Sequence, residues 1–322
     1  MNKWAYQNRA SAILFNYLKS IPENSCLLVP ANACPIVLAT ILKAGINFKL
    51  VDLNPDTLLI DIALVKTIIA ETPDNVALLF IRTYGFLDDQ THTFKQLKSM
   101  CPSLKIIDDR CLCEPNFNEE NFVNDADLTL FSTGYSKYAE LGRGGFGFLS
   151  QDEIRKNAST REAYSSDSHD KLVEQFNTCI KTRTRFKYQD SNWLDLNPSK
   201  QAFEEYQHSV IELKNTAKKQ KTLINNIYQK LSNNTNIITM DCEYNHWRFN
   251  ILVPDKKAVL TAIFDAGFFA SSHYASMVGI FDPHHAPVAE NLHAQVVNLF
   301  NDHRVSEQDA MHIADIVNTV AK

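Results

Sequence analysis

Over the first 150 residues, short apolar runs alternate with segments whose apolar residues recur at helical spacing. Runs at 26–29, 48–53, 76–81, 104–107, 127–131 and 145–149 predict strands, and segments at 10–19, 36–43, 58–70 and 94–100 predict helices. That alternation implies an α/β fold with a mainly parallel central sheet flanked by helices. Residues 151–199 turn polar and irregular, with Ser165-Ser166-Asp167-Ser168-His169 and few apolar repeats, and read as excursions toward a subunit boundary. A long helix over 200–231 follows, stopped by Ser232-Asn233-Asn234-Thr235. Then come a strand (247–253), a helix (256–266), a loop and two further helical stretches. The expected organisation is a large α/β domain over 1–199, a connecting helix over 200–231 and a smaller C-terminal α+β domain over 232–322. No internal repeat or low-complexity tract interrupts it.

Composition narrows the function classes. A chain of 322 residues that is 45% hydrophobic can bury a large core. Its net charge of −5, without a long basic stripe, disfavours a nucleic-acid partner. The densest basic cluster, Lys181, Arg183, Arg185 and Lys187, reads as a solvated loop or dimer rim. Lys3 and Arg9 are followed by no continuous apolar core of a signal peptide, and runs such as Val76 to Ile81 are too short to span a bilayer. Seven scattered cysteines suit a reducing compartment, so a cytoplasmic enzyme with no membrane partner is expected. Cys111 and Cys113, and the adjacent His284 and His285, lack the further ligands of a metal site, and none is expected.

The candidate chemistry gathers at strand ends. The predicted strand 127–131 leads into Phe131-Ser132-Thr133-Gly134-Tyr135-Ser136-Lys137, and Gly142-Arg143-Gly144-Gly145 follows. The strand before it, 104–107, ends in Asp108-Asp109. In parallel sheets ligands collect at the carboxyl ends of strands. A lysine and an acid at two such ends suit pyridoxal phosphate, whose aldehyde a lysine holds as a Schiff base and whose ring nitrogen an acid keeps protonated. Ser132 can bond a phosphate oxygen while Gly134 lets the chain turn. A phosphate also favours a helix amino end, and Asn8-Arg9-Ala10-Ser11, opening the first helix, is the candidate. Taken singly, Asp109 is an ordinary turn residue, Lys137 a surface lysine and Ser11 a plain helix cap.

The order of these pieces resembles the DegT–DnrJ–StrS family of sugar aminotransferases. The resemblance runs through Val29-Pro30-Ala31-Asn32-Ala33-Cys34, Ala44-Gly45, the block from Val51-Asp52 through Thr57 to Ile60-Asp61, Thr83-Tyr84-Gly85 and Ile107-Asp108-Asp109. It continues through Ser132 to Lys137, the Gly142–Gly145 turn, Ala266-Gly267, His273-Tyr274, Pro287 to Asn291, Asn298-Leu299 and Val305-Ser306-Glu307. It implies the aspartate aminotransferase (type I) fold and pyridoxal phosphate as cofactor. Lys137 would be the Schiff-base lysine, Asp109 the ring-nitrogen acid and Ser132 a phosphate ligand. It further implies amino transfer from glutamate to a keto-sugar, nucleotide-linked, in a homodimer. Asn192 is the match for a partner-subunit Asn that reaches the phosphate. Tyr84, Arg248, His273 and Tyr274 are candidates to face the substrate, and the last three fit a packed domain interface equally well. The chain departs from the pattern at two implied cofactor-binding positions, Leu112 (usually Gln or His) and Cys34 (usually an aromatic ring), and at Arg143 (usually Glu), and its upstream segment is expected to be short. Those departures keep open a catalytically silent homologue with a regulatory or scaffolding role. Retention of Lys137 disfavours the family's dehydrating members, which carry His there.

Overall fold

The computed structural model describes residues 4–72, 76–122, 125–149 and 163–321. The first half runs β1 (Trp4–Gln7), α1 (Ala10–Leu18), β2 (Cys26–Pro30), α2 (Pro35–Ala44), β3 (Asn47–Val51), α3 (Ile62–Glu71), β4 (Val76–Ile81), α4 (Thr91–Met100), β5 (Lys105–Asp109), β6 (Leu128–Ser132) and β7 (Gly145–Leu149). The second runs α5 (Ser166–Thr182), α6 (Phe203–Tyr228), β8 (Ile238–Thr239), β9 (Phe249–Leu252), α7 (Lys256–Asp265), β10 (Ala270–Ser271), α8 (Pro287–Gln295), β11 (Val296–Leu299) and α9 (Glu307–Val320).

The central sheet has the order β1-β7-β6-β5-β4-β2-β3. Strands β2 to β6 pair in parallel, while β7 and β1 close one edge antiparallel. The inner strands carry residues such as Leu78, Leu79, Ile106 and Ile107 that are buried on both faces, as a sheet covered by helices requires. A second, antiparallel sheet, β10-β11-β9-β8, is packed by α7, α9 and the last turns of α6. The 26-residue α6 is about 39 Å long at 1.5 Å per residue. Its Tyr206 and Val210 join an aromatic cluster against β1 and β7, and its Ile224 and Tyr228 join the core of the small sheet. This one helix therefore ties the two sheets together.

Several expectations shift. The helix predicted from 58 begins at Ile62, because Leu58 adopts a left-handed φ of 55° and Asp61 caps the helix by accepting from Ala63 N. The segment expected to be irregular contains α5, capped where the Ser165 hydroxyl accepts from Ser168 N. Leu172, Phe176 and Cys179 of α5 are buried in the main core, so the described part of this segment packs on its own chain. Residues 151–162 of that segment lie outside the described residues. Strand β1 and the short strands β8, β10 and β11 had no counterpart in the sequence pattern. In β11 the polar Asn298 breaks the apolar run, and its amide is satisfied by donating to Asn250 Oδ1 at 2.7 Å. No helix among the described residues is long and apolar enough to cross a membrane.

Candidate active site

The carboxyl ends of β5 and β6 and the amino end of α1 enclose a cavity of about 370 Å³. Its lining includes Lys137, Asp109, Ser132, Arg9, Ala10 and Ser11, together with Cys34, Leu112 and Tyr274. Residues from five separate segments of the chain thus meet at one place.

Alternation along β5 separates its two acids. Asp108 turns away from the cavity, accepting from Arg82 Nε at 2.7 Å and from Arg110 Nε at 2.8 Å. Burial alone would push its carboxyl up, but Arg82 and then Arg110 more than offset that and hold it below the ordinary range. Asp109, one residue on, faces the opposite side, as strand geometry demands, and lines the cavity. Its Oδ1 accepts from Cys111 N at 2.9 Å. Burial raises its pKa, opposed by the Cys111 hydrogen bonds and the charge of Lys137. A cationic ring nitrogen placed beside Asp109 would hold this carboxylate ionised.

Lys137 lies in a loop pinned at its base. Leu141 N donates to Thr133 O at 2.8 Å, and Gly134 bridges to Gly142. The Thr133 hydroxyl bonds Arg143 O and the Tyr206 hydroxyl, each at 2.7 Å, which anchors the loop to α6. The Cys34 thiol at the start of α2 is pushed up by burial, with Lys137 opposing. The Tyr274 hydroxyl is raised well above its ordinary value by burial, then by the nearby Cys34.

At the other end of the cavity stands the first turn of α1. Its N-cap is Arg9, which makes no side-chain cap, and no acidic residue occupies the turn. Ser11 is therefore inside the helix and does not cap it. The helix dipole and its first N–H groups favour an anion there. Gly145 makes the packing possible: a Cβ on it would fall 2.4 Å from Ala10 N. Asn32, 3% exposed and in the cavity wall, has an Nδ2 donor without a hydrogen-bond partner among the described residues.

Asn192 does not line this cavity. Its side chain accepts from Ser168 Oγ at 2.9 Å and donates to Ala163 O, and its carbonyl accepts from Ser165 N at 2.9 Å. It joins the start of α5 to the turn before α6. Tyr84, Arg248 and His273 also lie outside the lining. The Tyr84 hydroxyl donates to His273 O at 2.7 Å, and the Arg248 guanidinium is stacked on Trp247 (4.3 Å) and Phe300 (3.8 Å). Of the four substrate candidates only Tyr274 lines the cavity, and Tyr84, Arg248 and His273 are placed around Trp247. The sequence did not flag the cavity's roof: Tyr164 just before α5, His169, Val173 and Phe176 of α5, and Trp193 and Leu194 after Asn192. The apolar spacing of 172, 176 and 179 along α5 was the available signal. Asp195 lines the cavity beside α1 and accepts from Asn8 Nδ2 at 3.1 Å.

This lining fits pyridoxal phosphate. An uncapped helix terminus, Arg9 and Ser132 suit its phosphate, Asp109 its ring nitrogen and Lys137 its aldehyde, while Asn32 offers an unpaired donor. No protein-family model and no curated protein matches the chain in sequence. In shape it is similar, over 99% of its length, to a putative sugar aminotransferase from Streptococcus pneumoniae in its PLP form, with 14% identity, 86% of that chain covered and a TM-score of 0.71. It is similar over 99% to DesI crystallised in the presence of its TDP-sugar product, with 14% identity, 80% of that chain and a TM-score of 0.72. A DegT DnrJ EryC1 StrS aminotransferase from Brucella abortus matches over 99% of this chain and 86% of its own at 13% identity and a TM-score of 0.69. The chain shares the fold of these aminotransferases over nearly its whole length, the type I fold that the resemblance implied.

Proposed function

We propose that this chain is a pyridoxal-phosphate-dependent aminotransferase. One observation carries the reading: Lys137, Asp109, Ser132 and the first turn of α1, brought from different elements, line a single cavity. The cofactor supplies, when bound, an aldehyde and an electron-accepting ring. Asp109 would hold the proton at the ring nitrogen, while Ser132, Arg9 and the amino end of α1 would hold the phosphate. Lys137 Nζ would bind the aldehyde carbon and, displaced by the donor amine, move a proton from the donor's α-carbon as general acid/base. Trp193 and Phe176 in the roof, both buried, would exclude water.

In finer detail, glutamate is the proposed donor and a nucleotide-linked keto-sugar the proposed acceptor. The likeness in shape to DesI, solved with a TDP-sugar product, supports that acceptor class. The same reading makes the protein a cytoplasmic homodimer with a cofactor domain over 1–199, a connecting helix over 200–231 and a small domain over 232–322. Asn192 would reach the phosphate of a partner subunit. The test is direct. Purified protein given pyridoxal phosphate should turn yellow, and borohydride should fix the cofactor on the peptide carrying Lys137. Lys137→Ala should lose both signals, and a wild-type protein that stays colourless in excess cofactor would sink the reading.

The competing reading is a catalytically silent homologue. Asp195 favours it, since this acid lines the same cavity as Arg9 and Ala10, and its negative charge would oppose a phosphate held there. A single turnover with glutamate separates the two. An active enzyme converts its bound cofactor to the amine form, with a spectral shift that the silent protein does not show.

A further inference from the structure

The loop that carries Lys137 is gripped from outside the central sheet at every second residue. The Ser136 carbonyl accepts from the Trp247 ring Nε1. The Tyr138 ring lies 5.3 Å from Lys221 Nζ of α6, and Glu140 is paired with Arg304. Between the gripped residues, Lys137 alone lines the cavity. Ser136 holds a left-handed φ of 56°, a conformation that serine rarely adopts without a partner to keep it there.

Trp247 is itself fixed on all sides. Its ring is parallel to those of Tyr84 and Tyr274, at 6.4 and 6.0 Å between centroids, and the Arg248 guanidinium lies 4.3 Å from it. Its backbone N donates to Tyr84 O at 3.4 Å, and its carbonyl accepts from Lys221 Nζ at 2.7 Å. A ring so confined has one position for its N–H, and therefore one position for the carbonyl that precedes Lys137. Because Tyr274 lines the cavity, the same ring also relates that wall to the lysine.

We propose that Trp247 is a positioning residue for Lys137, a strut whose indole N–H sets the backbone from which the lysine amine enters the cavity. The proposal rests on the aminotransferase reading for the role of Lys137, but the strut itself is measurable without cofactor. Trp247→Phe keeps a ring in the stack and removes the N–H. If that substitution disturbs folding, benzothienylalanine incorporated at position 247 keeps the bicyclic shape and still lacks the donor. Hydrogen–deuterium exchange of the cofactor-free protein should then accelerate about five- to tenfold at the Lys137 loop, including Leu141 N, with β4 unchanged. With cofactor, the concentration of pyridoxal phosphate needed for half-maximal borohydride fixation on Lys137 should rise by a similar factor. Unchanged loop exchange in a folded variant, or fixation at wild-type concentrations, would overturn the proposal. If wild-type protein fixed no cofactor at Lys137, the proposed function would fall, and the exchange experiment would still decide the strut.

Discussion

Arg82 and Asp108 form an ion pair from which solvent is wholly excluded: Nε to Oδ1 is 2.7 Å, and both side chains are 0% exposed. The pair lies directly behind the cavity, since Asp108 precedes Asp109 on β5. Breaking such a pair leaves a buried charge without its counter-ion. Asp108→Ala should therefore lose about 3–5 kcal/mol of stability, read as a lower urea midpoint. The acid limb supplies a second check. Asp108 is held below the ordinary carboxylate range by Arg82 and Arg110 acting against burial, so its contribution is present above the unfolded value of about 3.9 and lost as pH falls through the folded value. Asp108→Asn should flatten stability in that acidic window.

Asp109 should respond in the opposite sense. Its carboxyl is raised by burial, so its contribution to stability is full below about pH 3.9 and is lost as pH rises through the folded value. At neutral pH the buried carboxyl therefore costs stability in the cofactor-free protein. Asp109→Asn should then melt at the same temperature or higher at pH 7, while amino transfer with pyridoxal phosphate falls by about 10²-fold or more. A variant that melts clearly lower at pH 7 would contradict this assignment.

Lys221 is buried to 4% exposure beneath the Lys137 loop, donating to Trp247 O and to Asn301 Oδ1. Burial pushes its pKa down to about 7. Between that value and the unfolded one of about 10.4, the unfolded chain binds the extra proton, so folding stability should rise with pH. The limiting slope is about 1.4 kcal/mol per pH unit. Denaturation midpoints of wild type and Lys221→Met from pH 6.5 to 10 should diverge accordingly, and parallel curves would refute the shift.

Asn192 distinguishes a role within the chain from one across subunits. Its hydrogen bonds to Ser168, Ala163 and Ser165 hold the cavity roof together. Asn192→Ala should speed proteolysis between 163 and 199 in cofactor-free protein. If the residue served only a partner's phosphate, cofactor affinity alone would fall and the digestion pattern would be unchanged.

The elements that alternate strictly were legible from local pattern. A buried strand such as β4 needs a continuous apolar run and helices such as α4 and α7 an apolar stripe, and both signatures survive in one dimension. β11 escaped because Asn298 is a buried polar residue satisfied by Asn250, 48 residues away in the chain. α5 escaped because its apolar face is sparse, and only the main core shows what it covers. The same limit applies to the roof and to Asn32, whose roles depend on neighbours remote in sequence.

Which residue types could do chemistry, and on which strand ends, was determined by the sequence alone. An acid after one apolar run and a lysine after the next are local facts, and parallel topology sends both to one side. Tertiary structure decided the rest. It turned Asp108 into a buried counter-ion and Asp109 toward the cavity, because pairing with Arg82 selects the face each residue takes. It set Arg248, Tyr84 and His273 around Trp247 rather than in the cavity lining. It also brought Trp247 to the carbonyl before Lys137, across 111 residues of chain. Contacts of that span arise only when two cores pack, and no periodicity within either segment encodes them.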